Sequence, residues 1–203
     1  MRYPAAQKAE THEKIVDAAS RSFRERGSDG LGIAPLMDEI GATVGGFYRH
    51  FDSKDDLYVE AMERALKQTA DWLIAEVSKA PEGQALSVII ERYLSMKHLQ
   101  SVGAGCVLAA LAPEIGRQPE PIRKKINAAM QSYMHRLLPF FPGQTEAERR
   151  RHFFLLFPAM AGTMMMARAL SEPSIQEEIL KSARSFYLDA FVKAKPTKKA
   201  RRS

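Results

Sequence analysis

Cysteine is almost missing from this chain. Cys106 stands alone, so no intramolecular disulfide and no paired-cysteine metal or redox centre is possible within it. Long apolar runs are missing too: the candidate stretch, FFLLFPAMAGTMMMA at 153–167, contains Pro158, Gly162 and Thr163. It falls short of the ~20 residues that a span requires, so it reads as a buried helix and no membrane partner is expected. The opening MRYPAAQKAETHEKI lacks the apolar segment of a secretory signal, which predicts a cytoplasmic protein. No GxSxG elbow, HExxH pair, P-loop or dinucleotide-binding glycine run occurs. The histidines, at 12, 50, 98, 135 and 152, have no ligand spacing. Neither catalytic residues nor a metal or cofactor is therefore expected.

What remains is a 203-residue chain, 45% apolar and 27% charged, long enough for one or two helical or mixed domains with a real core. Its net charge of +6 is unevenly placed. Lys193, Lys195, Lys198, Lys199, Arg201 and Arg202 lie in the last eleven residues, and without them the 24 acidic residues meet 24 basic ones. Residues 1–60 carry eight Lys/Arg against eleven Asp/Glu. Bulk charge thus does not mark the N-terminal region for nucleic acid, and any contact there has to come from individually placed residues. The tail, 195–203, reads as a flexible basic segment, either a solvated terminus or a nonspecific phosphate arm.

Apolar residues recur at helical spacing throughout, as in Ile15, Ala19 and Phe23 or Ile122, Ile126, Met130 and Met134, and no alternating strand pattern appears. The fold class is all-α. Helix starts are marked where Ser53, Thr145 and Ser174 are each followed three residues later by an acid, because the hydroxyl can accept a first-turn amide while the carboxylate favours the positive helix end. With Gly- and Pro-containing stops, this predicts about nine helices, near 8–26, 34–41, 43–51, 53–79, 83–100, 105–116, 120–140, 145–171 and 174–194. The expected domains are a compact three-helix unit at 1–52 and a larger helical body at 53–194, with Pro158 kinking the eighth helix.

One segment departs from ordinary helix design. TVGGFYRHFDSKDDL, from Thr43 to Leu57, has two adjacent glycines inside a short helix that follows a tight turn at Gly41. Helix, glycine turn and second helix form a helix-turn-helix. Phe47 and Phe51, four apart, with Val44, define the core side; Gly45, Gly46, Arg49 and His50 point away. Two readings stay open. The glycines either admit a neighbouring helix, or they let the backbone approach base edges in a DNA groove, with Tyr48, His50 and Lys54 donating to phosphates.

GATVGGFYRHFDSKDDL resembles the segment that closes the DNA-binding domain of TetR/AcrR-family transcriptional regulators, at Gly41, Thr43, Gly45, Tyr48, His50, Phe51, Ser53, Lys54 and Leu57. IVDAASRSFRERG resembles that family's first helix. The resemblance covers roughly the first 60 residues. It implies an N-terminal helix-turn-helix DNA-binding domain and a C-terminal ligand-binding and dimerisation domain. It further implies a homodimer formed through the last two helices, a palindromic double-stranded DNA operator as partner, and repression relieved by a small-molecule effector. Thr43, Val44, Gly45, Gly46, Tyr48, Arg49, His50 and Lys54 are then the DNA-binding residues. Ile40 replaces the family's usual Ala, and Val44 stands where a polar or basic residue is common, so the operator does not carry over from relatives.

The body carries Trp72, Met96, Met130, Tyr133 and Met134, then Phe153, Phe154, Phe157, Met160 and Met164 on the eighth helix. Such residues suit a core or an adaptable apolar pocket. The expected effector pocket is lined by Trp72, Met96, Phe157, Met160 and Met164, for an apolar or electrophilic compound. Cys106 opens a helix, where free amides favour a thiolate; by resemblance to family members with a similar Gly-Cys it is a possible redox sensor, and otherwise a small core residue. A helical small-molecule-binding protein that lacks sequence-specific DNA binding is the alternative function.

Overall fold

A computed structural model describes residues 5–193. Ten α-helices are present and no strand occurs among the described residues. They are α1 (Ala5–Arg26), α2 (Ile33–Glu39), α3 (Val44–Phe47), α4 (Lys54–Val77), α5 (Ala85–Tyr93), α6 (Met96–Gln100), α7 (Val107–Arg117), α8 (Glu120–Leu137), α9 (Glu146–Ala169) and α10 (Pro173–Leu188). A 3-10 turn at Val102–Ala104 precedes α7, another at Leu138–Phe140 follows α8, and a π turn at Asp189–Lys193 follows α10. The basic tail expected over 195–203 lies outside the described residues.

The all-α expectation holds because the apolar stripes are those of helices. Ile15, Ala19 and Phe23 on α1 are fully buried. α4 buries a wider band, from Leu57 through Ala61, Met62, Ala65 and Leu66 to Leu73, and packs against both α1 and α8. The cap residues do what their chemistry requires. Ser53 Oγ accepts the Asp56 N–H at 3.1 Å, and Thr145 and Glu148 form a complete capping box at the start of α9.

Three expected boundaries differ. The helix expected over 83–100 is two helices, because Leu94 leaves helical geometry and Ser95 accepts the His98 N–H at 3.2 Å, starting a new helix. The helix expected over 43–51 is a single turn, Val44–Phe47, continued by a turn through His50. Ser174 does not cap α10: Pro173 occupies the first helical position, where its missing N–H is no loss. α9 runs unbroken past Pro158.

α6 and α7 are joined by a buried imidazole. His98 Nδ1 donates to the Tyr93 carbonyl at 2.6 Å, and His98 Nε2 accepts the Cys106 N–H at 2.9 Å. Both ring nitrogens are used, and only the neutral Nδ1–H tautomer satisfies both partners. Burial pulls the His98 pKa from 6.5 to about 4. A group whose folded pKa lies below its unfolded value stabilises the fold fully above 6.5 and loses that contribution as pH falls towards 4. The urea midpoint of the wild type is therefore expected to fall more steeply than that of His98→Gln between pH 7 and 5; parallel slopes would refute the neutral-histidine reading.

Candidate functional site

The helix-turn-helix is built by two short helices and a tight turn. Gly41 takes φ +68°, a left-handed conformation that glycine adopts without steric cost, and the Ala42 N–H closes on the Met37 carbonyl at 2.8 Å. Thr43 caps α3, accepting the Gly46 N–H at 3.2 Å. Phe47 is fully buried and Phe51 nearly so, their rings 5.4 Å apart. Val44 is not with them. It is 41% exposed, a correction to the expected core side: α3 ends after one turn, so its first residue projects beyond the packed face.

Thr43, Val44, Gly45, Tyr48 and Arg49 are all exposed, and Gly46 and His50 are half-buried. No acidic residue falls between Ile40 and Phe51. Several acids of the N-terminal region are held elsewhere: Glu39 by Arg21, Glu13 and Asp17 by Arg64, and Glu60 by His12 at 2.7 Å. A Cβ placed on Gly45 would meet nothing within 4 Å, and one on Gly46 would make only ordinary contacts with Thr43 and Met37. Neither glycine has positive φ. Internal packing therefore requires glycine at neither position, although each costs helix stability of about 1 kcal/mol relative to alanine.

Burial, reinforced by the nearby His12, pulls His50 below its ordinary pKa, so it serves as a neutral group. Lys54 is half-buried, and its ammonium donates to the Ser28 carbonyl at 2.7 Å, one of its three donor directions. The Ser28 N–H in turn donates to Glu114 on α7 at 2.7 Å. Farther along, the buried Arg24 donates from Nη1 to the Gly105 carbonyl at 3.1 Å and from Nη2 to Gln68 Oε1 at 3.0 Å. Burial lowers the Arg24 pKa to about 10, which leaves it charged at neutral pH. α7 and the segment just before it thus both hold the N-terminal unit. Sequence reading missed Arg24 and Glu114, because their partners are 81 and 86 residues away.

A cavity of about 580 Å³ lies between α7, α8 and α9. α9 supplies Arg150, Phe153, Phe154, Phe157, Ala161 and Met165, residues that share one helical face. α8 adds Asn127, Met130, Gln131, Tyr133 and Met134, and α7 adds Leu108 and Ala112. Of the five residues expected to line the effector pocket, Phe157 alone does so. Met160 and Met164 are fully buried on the adjoining face of α9, with Leu156 and Ala167. Trp72 on α4 packs against the His98 ring at 5.1 Å, and Met96 belongs to the short α6. The period of the helix was legible; its rotation about its own axis was not.

Cys106 does open a helix, as the N-cap of α7, and it is fully buried. Burial pushes its thiol up, against the smaller opposing pull of the Tyr93 hydroxyl and the Leu108 and Ala109 amides. The helix start expected to favour a thiolate is present, but desolvation outweighs it.

Residues 15–61 match the family described as bacterial regulatory proteins, tetR family. The HTH-type transcriptional regulator LmrA of Bacillus subtilis (strain 168) is 26% identical over 127 residues, 61% of this chain and 67% of that protein. AcrR of Shigella flexneri is 32% identical over 82 residues, 40% of this chain and 38% of the relative. A TetR transcriptional regulator from Chloroflexus aurantiacus superposes with TM-score 0.71 at 20% identity, covering 92% of this chain and 98% of that one, a likeness of fold. The class defined by fold and site is a helix-turn-helix DNA-binding protein. Residues 15–61 place the N-terminal part of the chain with the tetR family of bacterial regulatory proteins, and the curated relatives it resembles are transcriptional regulators.

The environment of Cys106 makes one outcome specific. In the folded protein at neutral pH, iodoacetamide should modify Cys106 no faster than the chain opens, and urea should accelerate it; rapid alkylation of the native state would return the sensor reading.

Proposed function

We propose that this regulator is a repressor that binds a palindromic operator as a homodimer in the cytoplasm and is released by a small apolar effector. The observation that carries the DNA reading is the open space at Gly45. A helix that gives up a side chain with no internal need for it leaves room for an outside surface, and a major groove fits. Residues 1–52 then form the DNA-binding head and 53–194 the effector and dimerisation body. Thr43, Val44, Gly45, Gly46 and Arg49 would face the groove. Tyr48, His50 and Lys54 would orient the head on phosphates, Lys54 through donors left over from Ser28.

The dimer reading is supported by where apolar surface remains. Among the described residues, the exposed large hydrophobics fall into two groups. Val44 and Tyr48 lie at α3, and Phe154, Leu155, Met165, Met166, Ile175, Phe186 and Val192 lie on α9, α10 and the turn that follows. A stripe of this kind, on two neighbouring helices, is suited to burial against its own copy. The release reading is supported by α7, whose Leu108 and Ala112 line the cavity while Glu114 holds the head. A compound that displaces α7 displaces Ser28 with it.

Selection from a random duplex library is expected to enrich a palindrome with half-sites about one helical turn, or a multiple of it, apart. Failure to enrich any palindrome favours the ligand-binding protein without sequence-specific DNA binding. Gly45→Leu should abolish operator binding, while Tyr48→Phe should weaken it by about 1 kcal/mol on all sequences alike. Glu114→Ala, which frees the Ser28 N–H, should leave cavity binding intact and reduce the coupling between effector and operator, read as the change each makes in the other's affinity.

A further inference from the structure

The cavity has a polarity as well as a shape. Its walls are aromatic and sulfur-bearing: Phe153 and Phe157 lie parallel at 3° with centroids 5.1 Å apart, and Tyr133 meets Phe157 edge-on at 5.3 Å. Met130, Met134 and Met165 complete the lining. Thioethers and ring edges favour a flat aromatic guest over a branched aliphatic one.

Among the described residues Arg150 is the one charged side chain that lines it, and no carboxylate does. The guanidinium lies 5.6 Å from the Phe154 ring centroid, and Glu146, its ion-pair partner, is 4.0 Å away, at the outer limit of a salt bridge. Its donors are thus weakly engaged. Asn127 and Gln131, one turn apart on α8, line the same space. A cationic guest would meet Arg150 with no carboxylate to offset the repulsion.

We propose that the cavity binds a flat aromatic carboxylic acid, with its ring among Phe153, Phe157 and Met130 and its carboxylate held by the Arg150 guanidinium. The inference rests on reading this cavity as the effector site, but it concerns ligand class and is tested without DNA. The guanidinium fork matches a carboxylate's two oxygens.

The experiment is calorimetric titration of the full-length protein with three probes that share one ring system: 2-naphthoate, 2-naphthamide and 2-naphthylmethylamine. The acid should bind about tenfold or more tighter than the amide, and the amine should bind weakest. Arg150→Gln should bring the acid to the amide's level, and an unchanged thermal unfolding midpoint shows that the variant is folded. Phe157→Ala should weaken acid and amide together. Equal binding of the three, an acid preference that survives Arg150→Gln, or no binding by any probe would overturn the proposal. Operator release is scored separately. An acid that binds with this preference but leaves the operator bound keeps the ligand class and removes the effector role. A neutral compound that releases operator while the acid fails to bind does the reverse.

Discussion

α4 has to satisfy two partners at once. Its first half packs on the helix that carries the DNA-binding head, and its length brings the same helix against α8, which walls the cavity. A helix buried on two sides cannot rotate to suit one neighbour without disturbing the other, since protein interiors are close-packed. The head is therefore not a bead on a flexible string. The Ser28 peptide shows this at atomic scale: Glu114 of α7 accepts its N–H and Lys54 of α4 donates to its carbonyl. Arg24 adds a charge-assisted bond from α1 to Gly105, just before α7 begins. Head, joint and cavity wall share one set of polar contacts.

At the helix-turn-helix, stability and the proposed function pull in opposite directions. Two glycines weaken a helix only one turn long, and its other end dissolves into a turn at Tyr48. The helix persists because Thr43 caps it and because Phe47 and Phe51 anchor it to the core, with Phe51 stacked on His12 at 4.7 Å. Order is supplied from beneath, and the upper surface is left bare. This explains how a region with more acids than bases can still offer a surface suited to an anionic partner. Glu39, Glu13, Asp17 and Glu60 are tied to Arg21, Arg64 and His12, and no acid falls between Ile40 and Phe51.

The body separates two apolar surfaces on one helix. α9 turns Met160 and Met164 into the core, Phe153 and Phe157 toward the cavity, and Leu155 and Met166 outward. Phe154 and Met165 belong both to the cavity lining and to the exposed stripe. A dimer partner laid on that stripe would border the cavity, so ligand and assembly would share residues. The buried His98 meanwhile fixes where α7 starts, and it holds Cys106 in a dry setting that opposes ionisation.

Local chemistry was readable without coordinates. Helical period, the caps at Ser53 and Thr145, the turn at Gly41 and the bare face at Gly45 follow from a few neighbouring residues, because hydroxyl caps and left-handed glycines act within one turn. The helix-turn-helix segment was legible for the same reason: its residues are contiguous. The cavity was not, because four of the five residues chosen for it lie on other faces or other helices, and a periodic pattern gives spacing without the angle at which each helix meets the next. Nor did the sequence show that Val44 is exposed, that the helix expected over 83–100 breaks at Ser95, or that Arg24 and Glu114 reach across more than eighty residues to hold the head. Those facts depend on which surfaces meet. Only the packed chain decides that, because burial rewards the sum of all contacts rather than any local preference.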